Sequence, residues 1–247
     1  MSEPASTIEE RLKRALIPPA WELARITRRE KRKGEPGLRL LPFLVDPARA
    51  ALDVGANRGI WAGEMVQLTG RVFAFEPNPK LFRFLSAALG ARLDCQPLAA
   101  SDSDGEAALM VPGEGRRFSN QGASLSRTKI GERPHIEVTV QTRRLDSLDL
   151  PPVGFMKIDV EGHERAVLDG ARALIERDRP VMIIEIEERH TGRDIEGELN
   201  AVEALGYRTL PIRQGRLISR DRFDADADHR GQENTPCYVN NFLFLPA

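Results

Sequence analysis

Ala50-Ala-Leu-Asp-Val-Gly-Ala-Asn-Arg-Gly59, followed one helix-compatible segment later by Arg71-Val-Phe-Ala-Phe-Glu-Pro-Asn-Pro79, decides the fold of this chain. A short apolar run ends in Asp53 and opens into a glycine-containing turn; a second apolar run ends in Glu76. Gly55 and Gly59 free the backbone to turn tightly and come close to a ligand, and an acid about 20 residues beyond such a turn can take both hydroxyls of a ribose. The pattern predicts a nucleoside-binding βαβ unit, with strands over 50–54 and 72–75 and a helix over 60–68 that Gly70 ends.

Beyond this unit the same alternation continues. Pro77 and Pro79 start a helix running to Leu89 and closed by Gly90, and a third strand is expected near 92–99. Residues 106–111 and 136–142 read as half-buried strands, expected to be antiparallel partners; the apolar-polar alternation is plain in Ile136-Glu-Val-Thr-Val-Gln-Thr142. The 113–133 stretch between them is long, polar and rich in Gly, Ser and Arg, the character of a functional or mobile loop. Buried strands are predicted over 153–159 and 180–187, helices over 164–176 and 194–205, strands over 207–212 and 238–245, and a polar loop over 221–234. Apolar strands alternating with helices argue a doubly wound, mostly parallel α/β sheet whose ligand site lies at the carboxyl ends of the strands.

The 247 residues suffice for one large α/β domain, expected over 34–247, behind a helical N-terminal extension over 1–33 that Pro18-Pro19 divides. With 36 Lys/Arg against 37 Asp/Glu, the net charge of −1 makes no electrostatic case for nucleic acid. The basic excess sits in Arg25-Ile-Thr-Arg-Arg-Glu-Lys-Arg-Lys33. A solvated helix face explains it most simply, with contact to a membrane surface or an anionic glycan as the lesser alternative. No apolar run is long enough to span a bilayer, and the N-terminus lacks the basic start and apolar core of a signal peptide, so a cytoplasmic location is expected. Cys95 and Cys237 have neither framework nor metal spacing and are expected as reduced core thiols.

Two cofactor classes suit the turn. A dinucleotide fingerprint needs G-x-G-x-x-G, whereas Gly55-Ala-Asn-Arg-Gly59 lacks the middle glycine and puts the anionic Asp53 near the space a pyrophosphate would fill. A carboxylate there suits a cationic ligand better, which favours S-adenosylmethionine, with its amine and sulfonium, over NAD. A second constellation, Lys157-Ile-Asp-Val-Glu-Gly-His-Glu164, meets Glu185-Ile-Glu187 from the next strand. If the strand ran on, alternation would put Lys157, Asp159 and Glu161 on one side. Asp159 capping the next helix and Glu164 favouring its dipole is the simpler alternative. So many ionisable groups at adjacent strand ends are nonetheless costly to desolvate unless they work. Crowded carboxylates can serve as a general base or bind a divalent cation through oxygen; His163 between them is a candidate for proton transfer.

Together with Ile183-Ile-Glu-Ile186 and the late Asn241-Phe-Leu-Phe-Leu-Pro246, these motifs resemble the FkbM-type methyltransferase family over about 34–246. The resemblance implies a Rossmann-like class I methyltransferase fold, a seven-stranded sheet with an antiparallel last strand. It also implies S-adenosylmethionine-dependent O-methylation of a hydroxyl on a glycan, sugar or related metabolite. By position Asp53, Gly55, Asn57 and Gly59 would hold the methionine moiety, Glu76 with Pro77 the ribose, and Ala99, Ser101 and Asp102 the adenine side. The family's Asp-x-Glu-Gly-x-Glu segment matches Asp159, Glu161 and Glu164; Asp159, Glu161 and His163 are the catalytic candidates. Asn120, Ser124 and Glu185 are the candidates for touching a small-molecule or glycan acceptor, and no metal is expected. A nicotinamide-dependent oxidoreductase and a non-catalytic binding scaffold remain the alternatives.

Overall fold

The computed structural model describes residues 17–114, 117–118 and 122–247, so Asn120 and the first 16 residues lie outside the described residues. The first strand, β1 (Ala50–Val54), is buried along its whole length, as a parallel strand covered on both faces must be. It pairs in parallel with β2 (Val72–Phe75), and β2 with β3 (Asp94–Gln96). On its other side β1 pairs in parallel with β8 (Val153–Ile158), which sets Asp53 beside Lys157, and β8 pairs with β9 (Val181–Glu185). The last strand, β12 (Asn241–Pro246), inserts antiparallel between β9 and β10 (Tyr207–Arg213). These seven strands are those expected. A two-residue strand, β11 (Arg216–Leu217), folds back on β10 through Gln214 and Gly215, so the sheet has eight.

Helices cover both faces. Leu52, Val54, Met156, Ile158 and Ile184 pack under α6 (Glu164–Asp169), α7 (Arg172–Asp178) and α9 (Ile195–Glu203). Ala51, Ala74, Phe155 and Ile183 face α1 (Pro19–Lys33), α2 (Leu41–Leu44), α3 (Ile60–Met65) and α4 (Pro79–Leu89). The α4 boundaries follow local chemistry: Asn78 Oδ1 accepts the Lys80 N–H at 3.0 Å, Pro79 occupies the first turn, and Gly90 ends it at φ +56°. α1 lies against α3 and α4 with Leu23 buried between them, and Arg58 pairs with Glu22.

Other expectations change as well, and the 60–68 helix ends at Met65. The third strand is two: after β3 the chain leaves the main sheet, and β4 (Leu98–Ala100) joins β7 (His135–Arg143), β5 (Gly105–Glu114) and β6 (Arg117–Phe118) in a smaller sheet. β5 and β7 are antiparallel partners, as expected. The 164–176 helix breaks at Gly170, where a Cβ would enter the Ser101 carbonyl, and the second piece is capped from afar by Asp146 accepting the Ala173 and Leu174 N–H groups. β8 stops at Ile158, so alternation does not carry on to Glu161, which takes φ +57°. The polar 221–234 loop carries a helical turn, α10 (Ala225–Asp228), that Asp224 caps. Cys95 is half-buried and Cys237 is exposed rather than in the core; both are free. Among the described residues no helix is long and apolar enough to cross a membrane.

Candidate active site

One wall of the site comes from the first βαβ unit. Gly55 leaves β1 at φ +80°, and its N–H and that of Ala56 donate to Phe75 O at 3.0 and 3.1 Å. A Cβ at Gly55 would drive into the Asp159 carbonyl oxygen, so only glycine lets the turn pass the end of β8. Asn57 follows at φ +51°, which asparagine tolerates. Its N–H donates to Glu76 Oε2 at 2.6 Å, while the Asn78 N–H donates to Glu76 Oε1 at 2.8 Å. Two backbone donors thus lock the Glu76 carboxylate across the turn and leave lone pairs for further donors. Burial pushes its carboxyl up to about 7, the two amides opposing. Asp53 sits behind the turn. Its Oδ2 accepts the Ala62 N–H of α3 at 2.8 Å, and burial likewise pushes it up to about 7.

The opposite wall is the turn between β8 and α6. Asp159 N–H closes onto Val54 O at 2.9 Å, then Glu161 and Gly162 take φ +57° and +101°. Glu164 Oε1 accepts the Gly162 N–H at 2.9 Å and so holds this kink from inside; its Oε2 is buried with no partner, and burial pushes the carboxyl up to about 7. Ser124 Oγ donates to Glu161 O at 2.6 Å, tying the 122–126 segment over the turn. His163 Nε2 lies 2.9 Å from Ser101 Oγ, which donates to Asp102 Oδ1 at 3.2 Å. Which of the Ser101 hydroxyl and His163 Nε2 donates in that pair is set by the ring's tautomer. Burial, partly countered by Asp102, lowers the pKa of His163 and keeps the ring neutral.

Lys157 lies beneath, 1% exposed. Its Nζ is 3.2 Å from Asn241 Oδ1, 3.9 Å from Asp159 Oδ2, 4.0 Å from Glu185 Oε2 and 5.3 Å from the Trp61 ring centroid. Burial works against its charge, but Asp159, Glu185, Glu35 and Asp53 outweigh that and hold its pKa above the usual value. This ammonium partly offsets the crowding of acids at the neighbouring strand ends, where burial first and the nearby Asp159 second still push the Glu185 carboxyl well up.

Gly55, Asn57, Glu76, Pro77, Ala99, Ser124, Asp159, Glu161 and His163 line one cavity. Phe75, Leu81, Ala100 and Leu109 supply its apolar side. The other candidates stand off it. Asp53 and Gly59 support the turn from behind; Ser101 and Asp102 back His163; Glu185 lies across Lys157, accepting Asn240 Nδ2 at 3.0 Å and Asn241 Nδ2 at 3.4 Å. Behind Glu161, Glu187 of the second constellation is joined by two side chains that the sequence did not single out, Lys129 and His190. Lys129, on the short helix α5 (Arg127–Ile130), pairs with Glu161, and His190 Nδ1, on α8 (Glu188–Thr191), lies 3.3 Å from Glu161 Oε2 and 3.6 Å from Glu187 Oε1. Burial lowers the Lys129 pKa to about 8 and that of His190 to about 4. The spacing of three residues from Glu187 was the local signal for His190; Lys129 offered none, as a lysine in an arginine-rich loop.

Residues 53–209 match the family model described as the methyltransferase FkbM domain. No curated protein matches the sequence significantly. Among solved structures, the chain is similar to the methyltransferase FkbM of Methylobacillus flagellatus KT, at 17% identity and a TM-score of 0.52. That alignment covers 85% of this chain and 47% of the other, so this chain spans about half the length of that relative. A TehB-like SAM-dependent methyltransferase of Corynebacterium glutamicum aligns over 92% of this chain and 97% of its own, at 13% identity and a TM-score of 0.49.

Proposed function

This chain belongs to the FkbM family of S-adenosylmethionine-dependent methyltransferases, and on that premise we propose that it methylates a hydroxyl of a glycan, sugar or related metabolite. Family membership displaces the nicotinamide alternative. The observation that carries the proposal is that the Gly55–Asn57 turn and Glu76 share a single cavity with Asp159, Glu161 and His163.

The residues suit the cofactor. Glu76 is buried and fixed by two amides, the arrangement that presents a carboxylate to a vicinal diol; the glycine turn lets the backbone approach closely; and the apolar patch of Phe75, Leu81 and Leu109 suits an adenine. S-adenosylmethionine supplies an electrophilic methyl group when bound. Gly55 and Asn57 would hold its methionine part, Glu76 its ribose, and Ala99 would flank its base, with Asp53, Gly59, Ser101 and Asp102 acting from the layer behind. Asp159 and Glu161 would orient the acceptor hydroxyl, and His163 on the same cavity wall would take its proton as methyl transfer proceeds. Lys157, 3.9 Å from Asp159 Oδ2, would offset the charge of the acids gathered at these strand ends. Ser124 would contact the acceptor, as would Asn120, which lies outside the described residues. No step needs a metal.

The test is transfer of a labelled methyl group from S-adenosylmethionine to a panel of hydroxylated sugars, with amine and carboxylate acceptors as controls. Asp159→Asn and Glu161→Gln are each expected to lower turnover by roughly 10²-fold or more. Unaltered turnover in both would remove these acids from the mechanism, and label appearing only on nitrogen would overturn the hydroxyl acceptor.

A further inference from the structure

The cluster behind Glu161 has the composition of a metal centre. Donor atoms of Glu161, Glu187 and His190 all lie within 4.8 Å of one another, and two carboxylates with one imidazole are a ligand set for a divalent ion such as Mn²⁺ or Zn²⁺. Glu187 and His190 are buried, and Glu161 reaches from the cavity wall. The second oxygen of Glu187 is already engaged by Arg189 and the Tyr238 hydroxyl, which leaves Oε1 turned toward His190.

A cation is already there. The Lys129 ammonium, on a side chain only 7% exposed, contacts the Glu161 oxygen that faces His190. Its helix is pinned to the same site: the α5 cap residue Ser126 donates from Oγ to His190 O at 2.9 Å, and Ser124 holds the Glu161 carbonyl. Gly162 lets these elements close, since a Cβ there would lie 2.5 Å from His190 O. Burying a lysine stem and head is costly without such a partner set.

We propose that Lys129 is a built-in cation: its ammonium takes the place of a divalent metal among Glu161, Glu187 and His190, and as a positioning residue it fixes Glu161 toward the acceptor hydroxyl. The positioning role rests on the proposed methyl transfer; the occupation of the cation place does not.

The experiment is calorimetric titration of Mn²⁺ into the full chain as wild type, Lys129→Ala, and Lys129→Ala combined with Glu187→Gln. The wild type is expected to take up no Mn²⁺, the single variant to bind one equivalent, and the double variant to bind at least roughly tenfold more weakly. Lys129→Met, which keeps the buried stem, is titrated alongside so that a folding defect in the alanine variant does not decide the outcome. Mn²⁺ binding to wild type as tightly as to the variants, or to neither variant, overturns the cation assignment. In the methyl-transfer assay, Lys129→Met is expected to lose roughly 10- to 100-fold in kcat at unchanged KM for S-adenosylmethionine, with Mn²⁺ restoring part of it. A loss confined to KM, or one that Mn²⁺ leaves untouched, overturns the positioning role. Metal uptake as expected in a chain that transfers no methyl group would support the cation site and sink the methyl-transfer proposal alone.

Discussion

Glu76, Asp53 and Glu164 share a condition set by single side chains: each carboxyl is buried, fixed by a backbone N–H, and pushed up to about 7 by its surroundings. A group whose folded pKa lies above its unfolded value binds its proton more tightly in the folded chain. The contribution of these three therefore favours folding at and below about pH 4 and fades as pH rises toward 7. The urea midpoint of the ligand-free chain is expected to fall between pH 5 and pH 7. Glu164→Gln should flatten that slope, because it removes the acid whose Oε2 has no partner. An unchanged slope in that variant would contradict the assignment. Asp53, Gly55, Gly59 and Glu76 were legible as residues because a strand, a tight turn and a strand-end acid are all local chemistry. Which of them faces the cavity was not legible, since Asp53 turns its carboxylate to α3, nine residues along the chain.

At the scale of elements, the segment from β8 to α6 carries the site. The strand ends at Ile158 and two residues of positive φ throw Glu161 toward α5 and α8. Alternation could not foresee this, because the kink answers to the His190 carbonyl and the Ser124 hydroxyl, supplied by folding, as well as to the neighbouring Glu164 carboxyl. The helix break at Gly170 has the same origin, with Ser101 as the obstacle and Asp146 as the remote cap. Gly162→Ala tests the kink: a left-handed backbone plus a close contact with His190 O should cost about 2 kcal/mol or more of stability, read by chemical denaturation. A loss below about 0.5 kcal/mol would mean that the kink relaxes freely.

At the scale of the molecule, the parallel order of β3, β2, β1, β8 and β9 brings the nucleoside-side turn and the acidic turn to the same edge, and the smaller sheet closes over them. The main sheet was legible because its strands are apolar runs ending in acids or turns. The smaller sheet was only half legible, as the β5–β7 pair, because β4 is three residues long and directly follows β3. α1 completes the face over α3 and α4, so Leu23→Ala is expected to cost about 2–3 kcal/mol by the same denaturation measurement, and a neutral result would detach α1 from the core. Assignment of the cavity between Glu76 and Asp159 as an S-adenosylmethionine site stands or falls on calorimetric titration with S-adenosylhomocysteine. One-to-one binding is expected, weakened roughly 10- to 100-fold in Glu76→Gln. No binding by well-folded wild-type protein, or equal binding by the variant, would refute that assignment.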